Sequence, residues 1–94
     1  MPSERSIVGA ISRWLTRQKI WHMKVHGSAY QRAGIPDIIG CARGRFFGLE
    51  VKRPGERPTK IQRYELAKLD KAGAITGVVR SVEDAQEVLR KILI

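Results

Sequence analysis

The chain has 94 residues, which is enough for one compact domain. A domain of this length buries only about 60–65% of the surface that its unfolded chain exposes, so its stability margin is small. Lys and Arg number 18 against 9 Asp and Glu, and the formal charge of +9 creates a positive field that attracts polyanions. Nucleic acid is therefore the first partner to consider, ahead of an anionic membrane surface or a charge that only keeps the chain in solution.

The sequence argues against several other classes of protein. The single Cys41 cannot form an intramolecular disulfide, and its place in an apolar run predicts a buried, inert thiol. No Cys/His cluster has zinc-site spacing, and no segment approaches the roughly 18 uninterrupted apolar residues of a membrane span. We therefore expect a soluble, cytoplasmic protein without a membrane anchor or a small-molecule cofactor.

The N-terminal third predicts a helix followed by a strand. Apolar residues recur at helical spacing from Ser3 to Arg17, with Ser3 as the N-cap. Arg5 and Arg13, like Arg17, fall off the apolar stripe and can face solvent or a ligand. The segment from Ile20 to His26 alternates in period two, which is typical of a strand with one buried face, and a polar loop follows over 27–34.

The middle of the chain predicts a β-hairpin. Two strand-like runs, Pro36 to Ala42 and Arg45 to Arg53, are separated by Arg43-Gly44, and glycine tolerates the positive φ of a tight turn. Trp14 and Trp21 both lie on apolar stripes and are predicted to be core residues.

The C-terminal part predicts a helix, a strand and a second helix. After a loop over 54–58, Thr59 caps a helix that Gly73 ends, and a strand follows from Ile75 to Arg80. Ser81 then opens the last helix. The order α-β-β-β-α-β-α indicates a single α/β domain over 1–94, with a mixed central sheet flanked by helices.

Three charged residues are placed where they can meet. Asp37 begins one hairpin strand, and period two puts Glu50 and Lys52 on one face of the other strand, about 6.6 Å apart. Charges that interrupt an apolar strand are costly unless a ligand compensates them. Two carboxylates on neighbouring strands can share a hard divalent cation, with the Val51 carbonyl as a further oxygen, and Lys52 can orient a water or meet a phosphate. Each motif alone is weak, because Glu-x-Lys on an exposed strand is usually an ordinary ion pair.

At these residues the sequence resembles the PD-(D/E)xK nucleases, and among them the virus-type replication-repair nuclease (VRR-NUC) family. The matching stretches are Ala33 to Gly40 (AGIPDIIG), Gly48 to Gly55 (GLEVKRPG) and Pro58 to Gln62 (PTKIQ). The likeness covers nearly the whole chain. It implies the restriction-endonuclease-like α/β core of these nucleases, in the minimal stand-alone form that phages and bacteria carry.

The resemblance also implies a set of site residues. Asp37 and Glu50 would be metal ligands, Lys52 the catalytic lysine and Gln62 a further active-site residue on the helix after the catalytic strand. Family members often carry another acidic residue on the first helix, where only Glu4 matches. A glutamate that favours the dipole of a first helical turn explains Glu4 equally well. The implied cofactor is Mg²⁺, with Mn²⁺ as an alternative.

Basic and aromatic residues around the motif are candidates for DNA contacts. Any single basic residue among them is as readily a solvated side chain, and Tyr30 would stack on a base or line the cleft. His22 and His26 could shuttle protons, although a histidine without a partner on a strand face is more often structural. The predicted DNA-binding residues are Lys24, Tyr30, Arg32, Arg43, Arg45, Arg53 and Lys60.

The resemblance implies an Mg²⁺-dependent endonuclease that acts as a homodimer on branched DNA, including four-way (Holliday) junctions, because two-fold symmetry places two sites on opposed strands. Two alternatives stay open. One is a nuclease of the same fold that cuts flaps, nicks or plain duplex. The other is a non-catalytic basic module that only binds DNA.

Overall fold

The structure is a computed structural model that describes residues 2–26 and 32–93. It confirms the predicted order of helices and strands. None of the described helices is long and apolar enough to cross a membrane. The elements are α1 (Glu4–Arg17), β1 (Trp21–Lys24), β2 (Ile38–Ala42), β3 (Arg45–Val51), α2 (Lys60–Lys71), β4 (Ile75–Val79) and α3 (Val82–Leu93).

The four strands form one mixed sheet in the order β1-β2-β3-β4. The first three strands run antiparallel, whereas β4 lies parallel to β3 and is reached through α2. The predicted hairpin turn is confirmed, because Arg43 and Gly44 both adopt positive φ, at 51° and 77°. Two such residues in succession match the twist of the strands that they join.

One face of the sheet carries the hydrophobic core. Phe47, Leu49 and Val51 of β3 are fully buried with Ile11 of α1 and Leu89 of α3. These odd-numbered positions of β3 therefore face the layer that α1 and α3 form. The periodicity of the sequence predicts the buried stripe of each helix correctly, because both helices bury residues at helical spacing.

The opposite face of β3 lies against α2. A Cβ built on Gly48 would lie 3.4 Å from Cδ1 of Leu69 in α2, so the even-numbered positions of β3 point to this side. Glu50 and Lys52 share the parity of Gly48 and lie on the same face. Glu50 and Lys52 therefore lie on the sheet face opposite the main hydrophobic core, the face on which α2 packs.

Two predictions of burial are wrong. Trp21 is 63% exposed, and Cys41 is also exposed. Both residues lie on the α2 side of the sheet, where Trp21 pairs with Cys41 across β1 and β2. Helix α2 contacts β3 and β4, so this part of the sheet carries apolar side chains without a helix above them. Trp14 is buried, as predicted.

Candidate active site

The start of β2 positions Asp37 opposite Glu50. Ile38, the first residue of β2, pairs with Leu49, and one further step along the antiparallel ladder places Asp37 across from Glu50. The backbone N–H of Val25 donates to the Asp37 carbonyl at 2.8 Å, and the N–H of Val51 donates to Asp37 Oδ2 at 2.7 Å. Asp37 is therefore fixed by both its backbone and its side chain.

The end of β3 buries two charged residues. Glu50 is only 1% exposed and Lys52 only 8%. The backbone N–H of Lys52 donates to the Val79 carbonyl at 3.0 Å, which extends the β3–β4 ladder past the last strand residue. Within the described part of the chain, Glu50 Oε1 is buried and has no hydrogen-bond partner. A buried polar atom without a partner is costly and calls for a ligand.

The carboxyl groups of Asp37 and Glu50 are close enough to share a proton. Burial, the hydrogen bond to Asp37 and the charge of Asp37 together raise the pKa of Glu50 from 4.5 to about 9, although the Lys52 ammonium lowers it. In the protein without metal, Glu50 is therefore protonated at neutral pH. A cation is the natural replacement for that proton, because it satisfies both carboxylates at once.

A second pair of carboxyl groups, Glu4 and Glu56, lies beside the first. Glu4 opens α1, and its pKa is raised mainly by a hydrogen bond to Glu56, then by burial and by the charge of Asp37, whereas the Lys52 ammonium lowers it. Hydrogen bonds from Arg53 lower the pKa of Glu56 to about 2. Glu56 is thus the charged member of this pair. The structure therefore places Glu4 beside Glu56, and its role as a metal ligand stays a prediction.

Glu56 and Arg80 are site residues that the sequence analysis missed. The Arg53 N–H donates to Glu56 Oε1 at 2.9 Å, and Arg53 Nη2 lies 3.1 Å from Glu56 Oε2. Arg80, directly after β4, donates from Nη2 to the Glu56 carbonyl at 2.6 Å. The loop between β3 and α2 is therefore held against the end of β4. An acid in a Pro-Gly-Glu turn gave only a weak sequence signal, and Arg80 gave none.

The donor set fits a hard divalent cation. Asp37 and Glu50 offer carboxylate oxygens, one of them the unpartnered Glu50 Oε1. Both backbone groups of a strand residue point to the same side, so the Val51 carbonyl faces Asp37 as the Val51 N–H does. Over residues 2–26 and 32–93, no three acidic, His or Cys side chains are grouped closely enough to hold a metal by themselves. Glu4 contacts Glu56 and not this pair directly.

Gln62 has a structural contact in this structure. Its Oε1 accepts the Thr59 N–H at 2.8 Å, and its own N–H donates to Thr59 Oγ1 at 3.3 Å. These two bonds form a capping box at the start of α2. The active-site role of Gln62 stays a prediction, and it would require the amide to leave this cap or to serve both purposes.

Two of the basic residues predicted to bind DNA, Lys24 and Arg53, lie next to acidic residues of the site, and the others lie elsewhere. Lys24 lines the cleft that ends at Asp37, and Arg53 lies in the loop beside Glu56. Arg32 is on the α2 side, where its Nη2 lies 2.9 Å from Glu65. Lys60 is exposed at the first position of α2, and Tyr30 lies outside the described residues.

The expectation that Arg43 and Arg45 surround the site is wrong. Arg43 forms the β2–β3 turn, and Arg45 begins β3 and donates from Nε to the Gly73 carbonyl at 3.2 Å. Arg45 and Glu50 are five positions apart along β3, about 17 Å at the usual rise. The hairpin brings its two open ends to the site and carries its turn away from it.

His22 has two partners on its side of β1. Nε2 lies 2.8 Å from Ser12 Oγ, and Nδ1 lies 2.9 Å from the Ile20 carbonyl. A ring held between α1 and the strand start is a structural histidine. His26 lines the same cleft as Lys24 and Asp37, so it is the histidine nearer the site.

Comparisons with known proteins agree with this architecture. The chain matches no protein-family model and no curated protein sequence. A solved structure titled "VRR_NUC domain protein" superposes with a TM-score of 0.83 at 21% identity, over 99% of this chain and 89% of that chain. Another, titled "VRR_NUC domain", has a TM-score of 0.78 at 23% identity over 100% of both chains. The fold that the sequence resemblance implied is thereby confirmed along the whole chain.

Proposed function

We propose that this chain is a VRR-NUC-type nuclease that hydrolyses phosphodiester bonds in DNA with a divalent cation. The observation that carries the proposal is the buried pair of Asp37 and Glu50, with the unpartnered Glu50 Oε1 and with Lys52 on the same strand face. The fold shared with two structures titled VRR_NUC and the charge of +9 support it. A buried acidic pair can bind a divalent cation, and the basic surface around it attracts the phosphates of DNA to that cation.

Each site residue has a defined part in this proposal. Asp37, Glu50 and the Val51 carbonyl hold Mg²⁺ or Mn²⁺, and Glu4 lies beside them. When bound, the cation offsets charge that develops on the phosphate and activates water for attack. Lys52 is held within the field of Glu50, and its ammonium orients the attacking water or contacts the scissile phosphate. Water adds to phosphorus as the bond to the leaving sugar oxygen breaks, so the products are a phosphate end and a hydroxyl end.

We further propose that the enzyme cuts branched DNA as a homodimer, with four-way junctions among its substrates. An uncharged patch supports a contact between two copies. The patch lies on the sheet face beyond α2 and comprises the exposed Trp21, Met23, Cys41 and Phe46, with Ile39 among them. Two chains of charge +9 repel each other, so an uncharged patch is where they can meet. Its exposure of three large apolar side chains is unusual for an isolated small domain.

The decisive experiment is a cleavage assay on matched junction, flap, nicked and duplex substrates, with Mg²⁺ or Mn²⁺ and with EDTA as the blank. We expect metal-dependent cleavage by the wild type, with the junction cut fastest. Asp37→Asn and Lys52→Met should each lower the rate by at least about a hundredfold, as loss of an electrostatic catalytic group does. Lys71→Met, at an exposed position in the last turn of α2, is the matched control for Lys52→Met.

The competing functions predict different results. Cleavage by Asp37→Asn and Lys52→Met at the wild-type rate would refute the site. Equal cleavage of all four substrates would support a less selective nuclease of the same fold. Binding without cleavage under either metal would favour the non-catalytic DNA-binding module.

A further inference from the structure

A groove runs between α1 and β1 and ends at Asp37. Three adjoining cavities form it, and Lys24 lines all three. Arg13 borders the two that lie along α1, and Arg5 borders the two nearer the site. Arg17 closes the far end. We call this depression the α1 groove and define it by Arg5, Arg13, Arg17 and Lys24.

The α1 groove is lined by uncompensated positive charge. Of the acidic residues in the described chain, only Asp37 borders it, at the end where the carboxyl pair lies. None of its four basic side chains forms an ion pair with another described residue. In contrast, Arg32, Arg53 and Arg90 each contact a glutamate. The groove therefore offers cations that are available to an external anion.

Gly9 shapes the floor of the α1 groove. A Cβ built there would lie 3.2 Å from Nη1 of Arg13, one helical turn further along. The Arg13 guanidinium thus lies over the bare helix backbone at Gly9. A glycine in a helix interior is unfavourable relative to alanine, and here it leaves room for a guanidinium on the groove floor. A planar guanidinium with several donors suits a phosphate better than a point charge does.

We propose that the α1 groove binds the sugar–phosphate backbone of the DNA strand that leads into the site at Asp37. This inference rests on the proposed function and extends it to the path of the substrate. Arg5 and Arg17 are 12 positions apart in α1, which corresponds to about 18 Å of helix. One DNA strand carries a phosphate every 3.4 Å or so along the duplex axis, so the groove covers about five nucleotides. The contacts are to phosphates, so they position the strand without reading its sequence.

The test measures DNA binding in EDTA by fluorescence anisotropy across a range of salt concentrations. We expect Arg13→Ala/Arg17→Ala to weaken binding by roughly tenfold per lost contact near 0.1 M salt, and to reduce the slope of log K against log salt by about two. The control is Lys71→Ala/Lys91→Ala, which removes the same charge from exposed positions on α2 and α3. Equal losses in both double variants would overturn the proposal, because binding would then follow net charge alone.

A second variant separates the groove from the stability of α1. Gly9→Ala should raise the melting temperature by a few degrees, since it improves helix propensity. It should nevertheless weaken DNA binding, because the new Cβ displaces the Arg13 guanidinium. A Gly9→Ala variant that binds DNA as tightly as the wild type would refute the proposed DNA contact of Arg13 in the α1 groove.

The two proposals can fail independently. Binding in EDTA needs no cleavage, so weaker binding of the groove variants would support the α1 groove even if the wild type cuts nothing. A different outcome is that the wild type cleaves DNA with metal while the groove variants bind DNA as tightly as the control variant. That result would refute DNA binding by the α1 groove, and the proposed nuclease function would stand.

Discussion

Replacing Glu50 with Gln tests whether the buried carboxyl is retained for a cation. Glu50 is 1% exposed, and its pKa is raised from 4.5 to about 9, first by burial and then by Asp37. A carboxyl with a raised pKa in the folded state stabilises the fold most at low pH. The free energy of unfolding is highest below about pH 4.5, where the Glu50 carboxyl is neutral in the folded and the unfolded chain. It falls as the pH rises to about 9, because only the unfolded chain ionises in this interval, and this stabilisation is fully lost above it.

The size of the effect at pH 7 follows from the same pKa values. Between pH 4.5 and pH 7 the carboxyl of Glu50 ionises in the unfolded chain but stays neutral in the folded, metal-free protein. The unfolded chain is therefore stabilised by about 1.36 kcal/mol per pH unit relative to the folded protein. Glu50 therefore lowers the free energy of unfolding at pH 7 by about 3 kcal/mol, relative to a group that stays neutral. Glutamine keeps the shape, stays neutral and can still donate to Asp37, so Glu50→Gln should raise the melting temperature by roughly 10–20 °C in EDTA.

Thermal unfolding followed by circular dichroism, in EDTA at several values between pH 5 and 8.5, measures this prediction. The wild type should lose stability relative to Glu50→Gln as the pH rises, and added Mn²⁺ should stabilise only the wild type strongly. The control is Glu65→Gln. Glu65 is also buried, but its carboxylate lies 2.9 Å from Arg32 Nη2 and 3.8 Å from Lys68 Nζ, so its neutralisation should lower stability. A Glu50→Gln variant that melts at or below the wild type throughout this range would refute the reasoning.

Three further predictions concern the fold, the loop and the exposed patch. Gly34→Ala should cost about 2–4 kcal/mol in chemical denaturation, because Gly34 has a φ of +86° and its Cβ would lie 2.8 Å from the Ile61 carbonyl; an unchanged midpoint would contradict this. Arg80→Ala removes the hydrogen bond to the Glu56 carbonyl that holds the loop beside the carboxyl pair, so it should weaken Mn²⁺ binding about tenfold in calorimetry. Arg80→Lys should recover part of this affinity, and full affinity in the alanine variant would exclude a positioning role for Arg80. Trp21→Ser should convert a dimer into a folded monomer by light scattering, and a variant that stays dimeric would move the interface elsewhere.

The fold was predictable because each element carries its own local signal. The capping serine of α1, the Arg43-Gly44 turn and the capping threonine of α2 all act within a few residues, and each is where the sequence placed it. The carboxyl pair was also predictable, because strand parity and a short hairpin fix which side chains can meet. These features need no knowledge of distant contacts.

Burial and long-range placement were not predictable in this way. Trp21 and Cys41 were expected in the core, but their exposure depends on how far α2 reaches across the sheet, which no local pattern states. Arg45 was placed near the site because it is close to Glu50 in sequence, whereas an extended strand carries it away. Arg80 reaches the Glu56 carbonyl from a different strand end, so only the parallel pairing of β3 and β4 reveals it.

The positions of the carboxyl pair and the α1 groove suggest why the two belong together. A chain of charge +9 repels a divalent cation as well as a second copy of itself, and the Lys52 ammonium adds to this beside Glu50. A DNA strand in the α1 groove would offset the charges of Arg5, Arg13, Arg17 and Lys24 close to Asp37. The cation would then compete more easily with the proton on Glu50. Because binding free energies are reciprocal, the cation would hold the strand more tightly in return. We therefore expect metal and DNA each to strengthen the binding of the other, so that Asp37 and Glu50 bind the cation more tightly when DNA is bound.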